Sequence, residues 1–319
     1  MNASSRLTEA IAESLRRHNV RGKRIAIGLS GGIDSVVLAY LLRQAASEFA
    51  IELSALHVHH GLSPRADAWA AHCQRFCDTY RISLNIVRVR IDREAAGGIE
   101  NAARNARYEA FRNVAADYLA VAQHIDDQAE TVLHQMLRGT GLKGLAGMGT
   151  TRRLRPGLDL IRPLLGSQRR DIEAFAAMQA LEWVDDESNA DTALTRNFLR
   201  RELLPAIEAR FPHYRESLAR AARHAAEADD MLAALAAIDL RWDGVTGNAA
   251  SLDGLPAIRQ VNALYHWLLW QQVTPQSHRQ LCAFAEQLFR APPPDRPHQA
   301  GGHDFVIRRR NNVLSLQRK

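Results

Sequence analysis

The sequence predicts an α/β protein: a doubly wound parallel sheet followed by a mainly helical second domain that ends in a β-hairpin. Three observations carry this. Four short apolar runs in the first half are each followed by a helical or polar crossover, the pattern of βαβ units. After Gly149 that rhythm stops and helical periodicity takes over. The length of 319 residues exceeds one average domain, which makes two the expectation. The expected division is 1–212 and 213–319.

The opening stretch, Met1–Val20, reads as an amphipathic helix and lacks the apolar core and cleavage site of a signal peptide. Arg24–Leu29 is the first strand, followed by Ser30–Gly31–Gly32 and a helix over Ile33–Ala46. Glu52–Val58 is the second strand, with a helix over Pro64–Tyr80. Ile82–Val89 is the third, with a helix over Glu100–Ala116. Tyr118–Ala122 is the fourth, followed by a helix over Asp126–Arg138. Arg152–Arg155 and Asp159–Pro163 read as short and irregular, Arg169–Gln179 as helical, and Asp185–Arg201 as a polar, charge-dense stretch. Tyr214–Leu240 is one long Ala-rich helix with Leu218, Ala222, Ala225, Leu232 and Leu235 along one face. Helices follow at Leu255–Gln272 and Ser277–Gln287. Pro292–Pro294 opens a loop, and Phe305–Ile307 and Val313–Leu316 flank Asn311–Asn312 as a closing hairpin.

Composition narrows the function classes. A hydrophobic share of 46% and a charged share of 24% suit a globular chain with a full core and exclude a disordered or collagenous one. No apolar run approaches the roughly 20 residues that span a bilayer, so no membrane partner is expected and the cytoplasm is the expected location. The net charge is +6, and Lys23, Lys143 and Lys319 are the only lysines. An arginine-dominated basic balance permits a nucleic-acid or phosphate-rich partner without demanding one. Three cysteines, Cys73, Cys77 and Cys282, contain no CxxC pair, which argues against a disulfide framework, an iron–sulfur cluster and a zinc ribbon.

The most informative stretch is Ile25–Ser35, a strand running into Ser30, Gly31, Gly32, Ile33, Asp34 and Ser35 at the mouth of a helix. Two glycines allow a tight turn with exposed N–H groups, and the helix N-terminus adds partial positive charge; together they make an anion cradle. The hydroxyls of Ser30 and Ser35 add further donors. A Walker loop would carry a lysine here; this loop carries Asp34, a carboxylate that makes sense beside phosphates if it holds Mg²⁺. SGGIDS in this setting resembles the PP-loop of the N-type ATP pyrophosphatases. The resemblance implies cleavage of ATP between the α- and β-phosphates and activation of a carbonyl-type oxygen as an adenylate.

Three further stretches choose within that superfamily. His57–Leu62 (HVHHGL) closes the second strand, where the nucleotide base lies in a doubly wound fold, and its histidines, His59 among them, are candidates to contact the base. Gln123–Gly141 follows the fourth strand; Asp127 and Glu130 share a helix face, and Asp126 sits at the helix mouth as a candidate N-cap. His124, Asp126, Asp127 and Glu130 could together hold Mg²⁺ or a substrate amine. In Asp185–Arg201, Arg196, Asn197 and Arg200 are candidates to clamp phosphate or carboxylate. With IRPLL at Ile161–Leu165, these pieces lie in order over roughly residues 24 to 205 and are similar to the tRNA(Ile)-lysidine synthetase family. The helical remainder and hairpin match that family more loosely. Larger members carry a further C-terminal domain, whereas this chain stops at Lys319.

What the resemblance implies is a ligase using ATP, Mg²⁺ and L-lysine on the wobble cytidine of isoleucine tRNA with a CAU anticodon. The cytidine oxygen is adenylated with loss of pyrophosphate, and the lysine ε-amine then displaces AMP to give lysidine. An amine with a pKa of about 10.4 must shed a proton first. Asp34 is expected to bind Mg²⁺. Asp126, Asp127 or Glu130 is expected to position or deprotonate the lysine, and Arg196 or Arg200 to bind its carboxylate or the adenylate. Arginines of both domains, Arg308–Arg310 of the hairpin among them, are expected to track the backbone of the tRNA, with the second domain as a tRNA contact, and the target base must leave its stack. The oligomeric state, homodimer included, is not legible here. Rival readings weigh less: a tRNA thiolase needs a persulfide cysteine or CxxC pairs. An ammonia-using synthetase normally brings a glutaminase, and no cysteine follows Met1. A catalytically dead nucleotide- or tRNA-binding protein sits poorly with intact Asp34, Asp127 and Glu130.

Overall fold

Ile25, Ala26 and Ile27 are fully buried in the five-residue strand β1 (Arg24–Gly28). A strand with parallel neighbours on both sides and helices on both faces has no surface on which to present a polar side chain. The computed structural model describes residues 2–92, 98–185, 195–244, 247–275, 277–289, 298–302, 304–310 and 312–319. Two compact units divide the chain, Met1–Arg223 and His224–Lys319.

In the first unit β1 is followed by α2 (Ile33–Ala45), β2 (Glu52–His59), α3 (Ala66–Tyr80), β3 (Ser83–Arg88), α4 (Gly98–Arg112), β4 (Tyr118–Ala120), α5 (Ile125–Leu137) and the single turn α6 (Leu142–Leu145). Next come β5 (Thr151–Arg155), β6 (Leu158–Ile161) and α7 (Arg169–Met178). The six-stranded sheet has the order β3-β2-β1-β4-β6-β5. All pairs are parallel except β5 with β6. From β1 the chain winds outward through β2 and β3 on one side, then returns to place β4 and β6 on the other. The carboxyl ends of β1 and β4 therefore flank a topological switch point, where the crossovers diverge and leave a crevice.

The two sheet faces carry separate cores. One packs α1 (Ala3–Arg17), α2, α3 and α7 through Leu7, Ile11, Leu15, Val36, Phe76 and Phe175. The other packs Tyr108 and Phe111 of α4 against Ala26, Leu56, Leu119, Leu158 and Leu160. The parity of β1 explains the split: Ile25 and Ile27 join the first core, Ala26 the second. A smaller cluster joins Ala129 of α5 to Leu204 of α9 (Leu204–Arg210) and Tyr214 of α10 (Tyr214–Asp239).

In the second unit, Ala236 and Leu240 pack with Leu264, Trp267 and Leu268 of α11 (Ala257–Trp270) and with Phe284 and Leu288 of α12 (His278–Phe289). The sheet here is antiparallel, ordered β7-β10-β9-β8, from Gly247–Asn248, Val313–Arg318, Phe305–Arg310 and His298–Gly301. The expected hairpin is thus the centre of a four-stranded sheet. Asn311 and the loop at Pro292–Pro294 lie outside the described residues.

One stretch of the first unit differs from expectation. Arg152–Arg155 and Asp159–Pro163, read as irregular, fall largely within β5 and β6, joined at Gly157 with φ 78°. Four buried or half-buried residues in β6 are too few to declare a strand. Pairing with β4 supplies what the local pattern lacks.

Candidate active site

The loop after β1 is drawn tight by a serine. Ser35 Oγ donates to the Gly32 carbonyl at 2.9 Å and accepts from the N–H groups of Ser30 and Gly31 at 3.2 Å each, while Gly32 N–H donates to Ser30 Oγ at 3.3 Å. Ser35 therefore shapes the loop as well as standing beside it. The first N–H groups of α2, at Ile33, Asp34 and Ser35, have no intrahelical acceptor and point outward from the helix start, as an anion requires. Gly31 has φ 91°, and a Cβ there would meet Val184 Cγ2 at 2.9 Å and Cys73 Sγ at 3.2 Å; only glycine fits. From the neighbouring strand, His57 Nδ1 lies 2.9 Å from the Leu29 carbonyl and fastens the end of β2 to the loop.

Across the switch point, the chain after β4 brings an acidic cluster to face Asp34. His124, 1% exposed, lies at its centre: Nε2 is 3.6 Å from Asp34 Oδ1 and 3.4 Å from Asp127 Oδ2, and Nδ1 is 3.5 Å from Asp126 Oδ2. Burial opposes protonation of the imidazole, but three carboxylates outweigh it and raise its pKa above the ordinary histidine value. Asp34 is raised as well, first by burial and then by Asp127, with His124 and Arg169 pulling the other way.

The three acidic residues of α5 have distinct surroundings. The N-cap of α5 is His124, not Asp126. The Asp127 carboxylate reaches back to accept from the His124 N–H at 3.1 Å, as in a capping box. Asp126 instead accepts from the Arg169 N–H at 2.9 Å, capping α7, and pairs with Arg215 Nε. Burial opposes ionisation, but the His124 imidazole first, then the Arg169 N–H and Arg215, hold its pKa well below the ordinary carboxylate range. Glu130, 5% exposed, takes a two-pronged pair from Arg200, Nε at 2.5 Å and Nη2 at 3.1 Å, and the same Nη2 reaches Asp127 Oδ1 at 3.1 Å. Burial lifts the Glu130 pKa against the pull of Arg200. Arg200 is carried by a π-helical turn, Leu199–Leu203, a wider winding that occurs often at functional sites.

Other expected residues stand apart from this cluster. His59 lies 3.1 Å from Asp67 and 3.2 Å from Arg88. Arg196, on α8 (Thr195–Phe198), is 4.0 Å from Glu100, and Asn197 is buried. Residues 186–194 of the polar stretch lie outside the described residues. Sequence reasoning missed Arg169, whose Nη1 is 3.9 Å from Asp34 Oδ2, and Arg215. Arg169 had a signal: cations in the first turn of a helix oppose its dipole, so the Arg169–Arg170 start of α7 asked for another explanation.

The donor set suits Mg²⁺ in one respect. Asp34 Oδ1 is buried with no hydrogen-bond partner, an oxygen left unsatisfied at the loop. Among the described residues no group of three or more ligating side chains stands ready for a metal. Mg²⁺ commonly binds through one or two carboxylates plus substrate phosphates. Cys73 and Cys77 are buried, and burial pushes their thiols up to about 12 and about 11, far from a reactive thiolate. No helix among the described residues is long and apolar enough to cross a membrane.

The PP-loop domain model matches residues 2–207. A tRNA(Ile)-lysidine synthase of Nitrosomonas europaea is 44% identical over 271 residues, 84% of this chain and 59% of its own length. That of Chromobacterium violaceum is 48% identical over 76% of this chain and 56% of its own length, and that of Pseudomonas aeruginosa 47% over 76% and 58%. The chain thus spans less than two thirds of these curated relatives. Among solved structures, a U34-tRNA thiolase of Methanococcus maripaludis has a TM-score of 0.62 at 22% identity, covering 70% of this chain and 78% of that one, a likeness of fold.

Proposed function

The chain belongs to the PP-loop family, and from that premise we propose that it is an ATP-dependent tRNA(Ile)-lysidine synthase. Its substrates are then ATP, L-lysine and the isoleucine tRNA bearing CAU. The observation that carries the reading is the juxtaposition at the switch point. A phosphate loop with an unsatisfied carboxylate faces, through His124, a second acidic pair on α5. One half suits ATP and the other an amine, and the lysidine synthases at 44–48% identity favour lysine as that amine.

In this reading the N–H groups at the start of α2 bind phosphate oxygens, and Gly31 lets the backbone come close. Asp34 is the residue that would hold Mg²⁺, and the ion would supply charge neutralisation to the phosphates and to departing pyrophosphate. Arg169 stands behind Asp34 and adds positive charge at the same edge. The cytidine oxygen attacks the α-phosphorus, pyrophosphate leaves, and AMP becomes the leaving group that oxide could not be. Asp127 and Glu130 then receive the lysine ammonium. Two carboxylates share one guanidinium, that of Arg200, so the pair retains an excess of negative charge for a second cation. Once the proton has passed to a carboxylate or to water, the ε-amine attacks the ring carbon and AMP departs. Asp126, occupied by Arg169, Arg215 and His124, has a structural part, tying the start of α5 to α7 and α10. The second unit is assigned to tRNA contact; within it Arg309 pairs with Asp253 at 2.7 Å, which leaves Arg308 and Arg310 as the hairpin's candidates.

The test is incorporation of labelled lysine into CAU isoleucine tRNA with ATP and Mg²⁺, beside an elongator methionine tRNA. ATP-dependent labelling of the isoleucine tRNA alone is expected. ATP cleaved to AMP and pyrophosphate with no lysine transferred would retain the PP-loop chemistry and reject lysine as the nucleophile.

A further inference from the structure

Away from this cluster, the first unit carries a second concentration of arginine. A cleft of about 630 Å³ is lined by Arg104 and Arg112 of α4, Arg152 of β5 and Arg90 beyond β3. Asp92 and Glu109 also line it, so cations outnumber acids two to one. Tyr108 sits among them, 9% exposed. The guanidinium carbons of Arg104 and Arg152 lie 5.4 and 5.0 Å from its ring centroid. Burial alone would raise the phenol's pKa; instead it is lowered, because Arg104, Arg162, Arg152 and Arg107 together outweigh burial. The phenol thus reports a positive local potential.

The walls are fixed. Arg155 of β5 donates Nε to the Arg112 carbonyl at 2.7 Å and Nη2 to the Val114 carbonyl at 2.9 Å, clamping the strand to the end of α4. Arg162, 5% exposed, donates to the Gly149 carbonyl at 2.6 Å. Like charges gathered this closely oppose folding, and the aromatic contacts recover only part of that. A guanidinium lying over a ring keeps its in-plane N–H groups for a phosphate. Arg152 pairs in register with Leu160, one residue from the carboxyl end of β6, which runs parallel to β4 and through it to β1, so Arg152 lies toward the same edge of the sheet as the phosphate loop.

We propose that this cleft binds the sugar–phosphate backbone of an RNA strand, with Arg104 and Arg152 as phosphate contacts; the proposal rests on the reading that the substrate is a tRNA. The test uses the full chain and a fluorescein-labelled transcript of CAU isoleucine tRNA, with anisotropy titrations over a salt series. Arg104→Gln with Arg152→Gln is expected to weaken binding roughly 20-fold at about 0.15 M salt, and to reduce the slope of log affinity against log salt by about 1.4–1.8. Arg16→Gln with Arg17→Gln, on the outside of α1, should change neither. In the wild type, photo-crosslinks from a 4-thiouridine-substituted transcript are expected in peptides covering 98–112 and 151–155, which decides the matter should the double variant fail to fold. Unchanged affinity and slope, or crosslinks confined elsewhere, overturn the cleft assignment while lysine incorporation leaves the function standing. A wild-type chain with no affinity for the transcript overturns both.

Discussion

Replacing Asp34 with Asn separates the fold from the chemistry. Asp34 Oδ1 is buried without a hydrogen-bond partner, and among the described residues its charge is offset by His124 at 3.6 Å and Arg169 at 3.9 Å, with a weaker pull from Arg200. An unsatisfied buried acceptor costs about 1–3 kcal/mol, and ion pairs this loose return about 0–1 kcal/mol each. The amide keeps the shape and removes the charge, so the variant should match the wild type or exceed it by up to about 1 kcal/mol. For a unit the size of Met1–Arg223 that is a rise of about 2–4 °C in Tm. The sign agrees with the titration: a carboxyl whose pKa is raised by burial binds its proton more tightly folded than unfolded. The ionised form therefore subtracts stability above the folded pKa, and the advantage of Asn shrinks as the pH falls toward the aspartate range. Melts at neutral pH in chelator measure this. Adding ATP and Mg²⁺ should then stabilise the wild type by about 2.7 kcal/mol at a hundredfold excess over Kd and the variant far less, with turnover lost by at least about 1000-fold. A variant destabilised by more than about 1 kcal/mol, or one that keeps the full nucleotide-induced shift, would refute the assignment.

Asp126→Asn should do the opposite: lose about 1.5–3 kcal/mol through its contacts to Arg215 and the Arg169 N–H, while lysine transfer per folded molecule changes little. Because its folded pKa is depressed, the contribution of Asp126 is present above the unfolded value of about 3.9 and fades as the pH falls below it. Urea titrations at neutral and acid pH should therefore show wild type and variant converging in acid. Arg200→Ala leaves buried Glu130 without its cation; with Arg200 37% exposed the cost is about 1–3 kcal/mol, and adding Glu130→Leu should restore most of it in a double-mutant cycle. Gly31→Ala should cost about 2–4 kcal/mol, from φ 91° and a Cβ only 2.9 Å from Val184, and abolish ATP-dependent pyrophosphate release; an unperturbed melting curve would show that the loop tolerates a side chain.

The parts legible in the sequence are those set by contiguous residues. The run Ile25–Ile27 had to be a buried strand, and Ser30–Ser35 had to turn into a helix with its N–H groups exposed, whatever lay around them. The acidic helix start at His124–Glu130 was equally visible. The roles within it were not, because they depend on distant partners. Asp126 looks like the N-cap of its own helix, yet its carboxylate caps α7, 43 residues on. Likewise Arg200, expected to meet a substrate anion, is held by Glu130 and Asp127.

By itself, the sequence determined the α/β rhythm, the phosphate loop and the set of chemically able side chains, since strand burial, glycine φ and helix-terminal N–H groups are properties of a few adjacent residues. Only the tertiary structure decided that β1 lies between β2 and β4. That pairing opens the switch point, sets Asp34 within 3.6 Å of His124, and leaves Asp34 Oδ1 buried without a hydrogen bond while Asp126 and Glu130 are answered by arginines from far along the chain. The reason is physical: a carboxylate's chemistry depends on which charges and how little water surround it, and those neighbours are chosen by strand order and not by sequence distance.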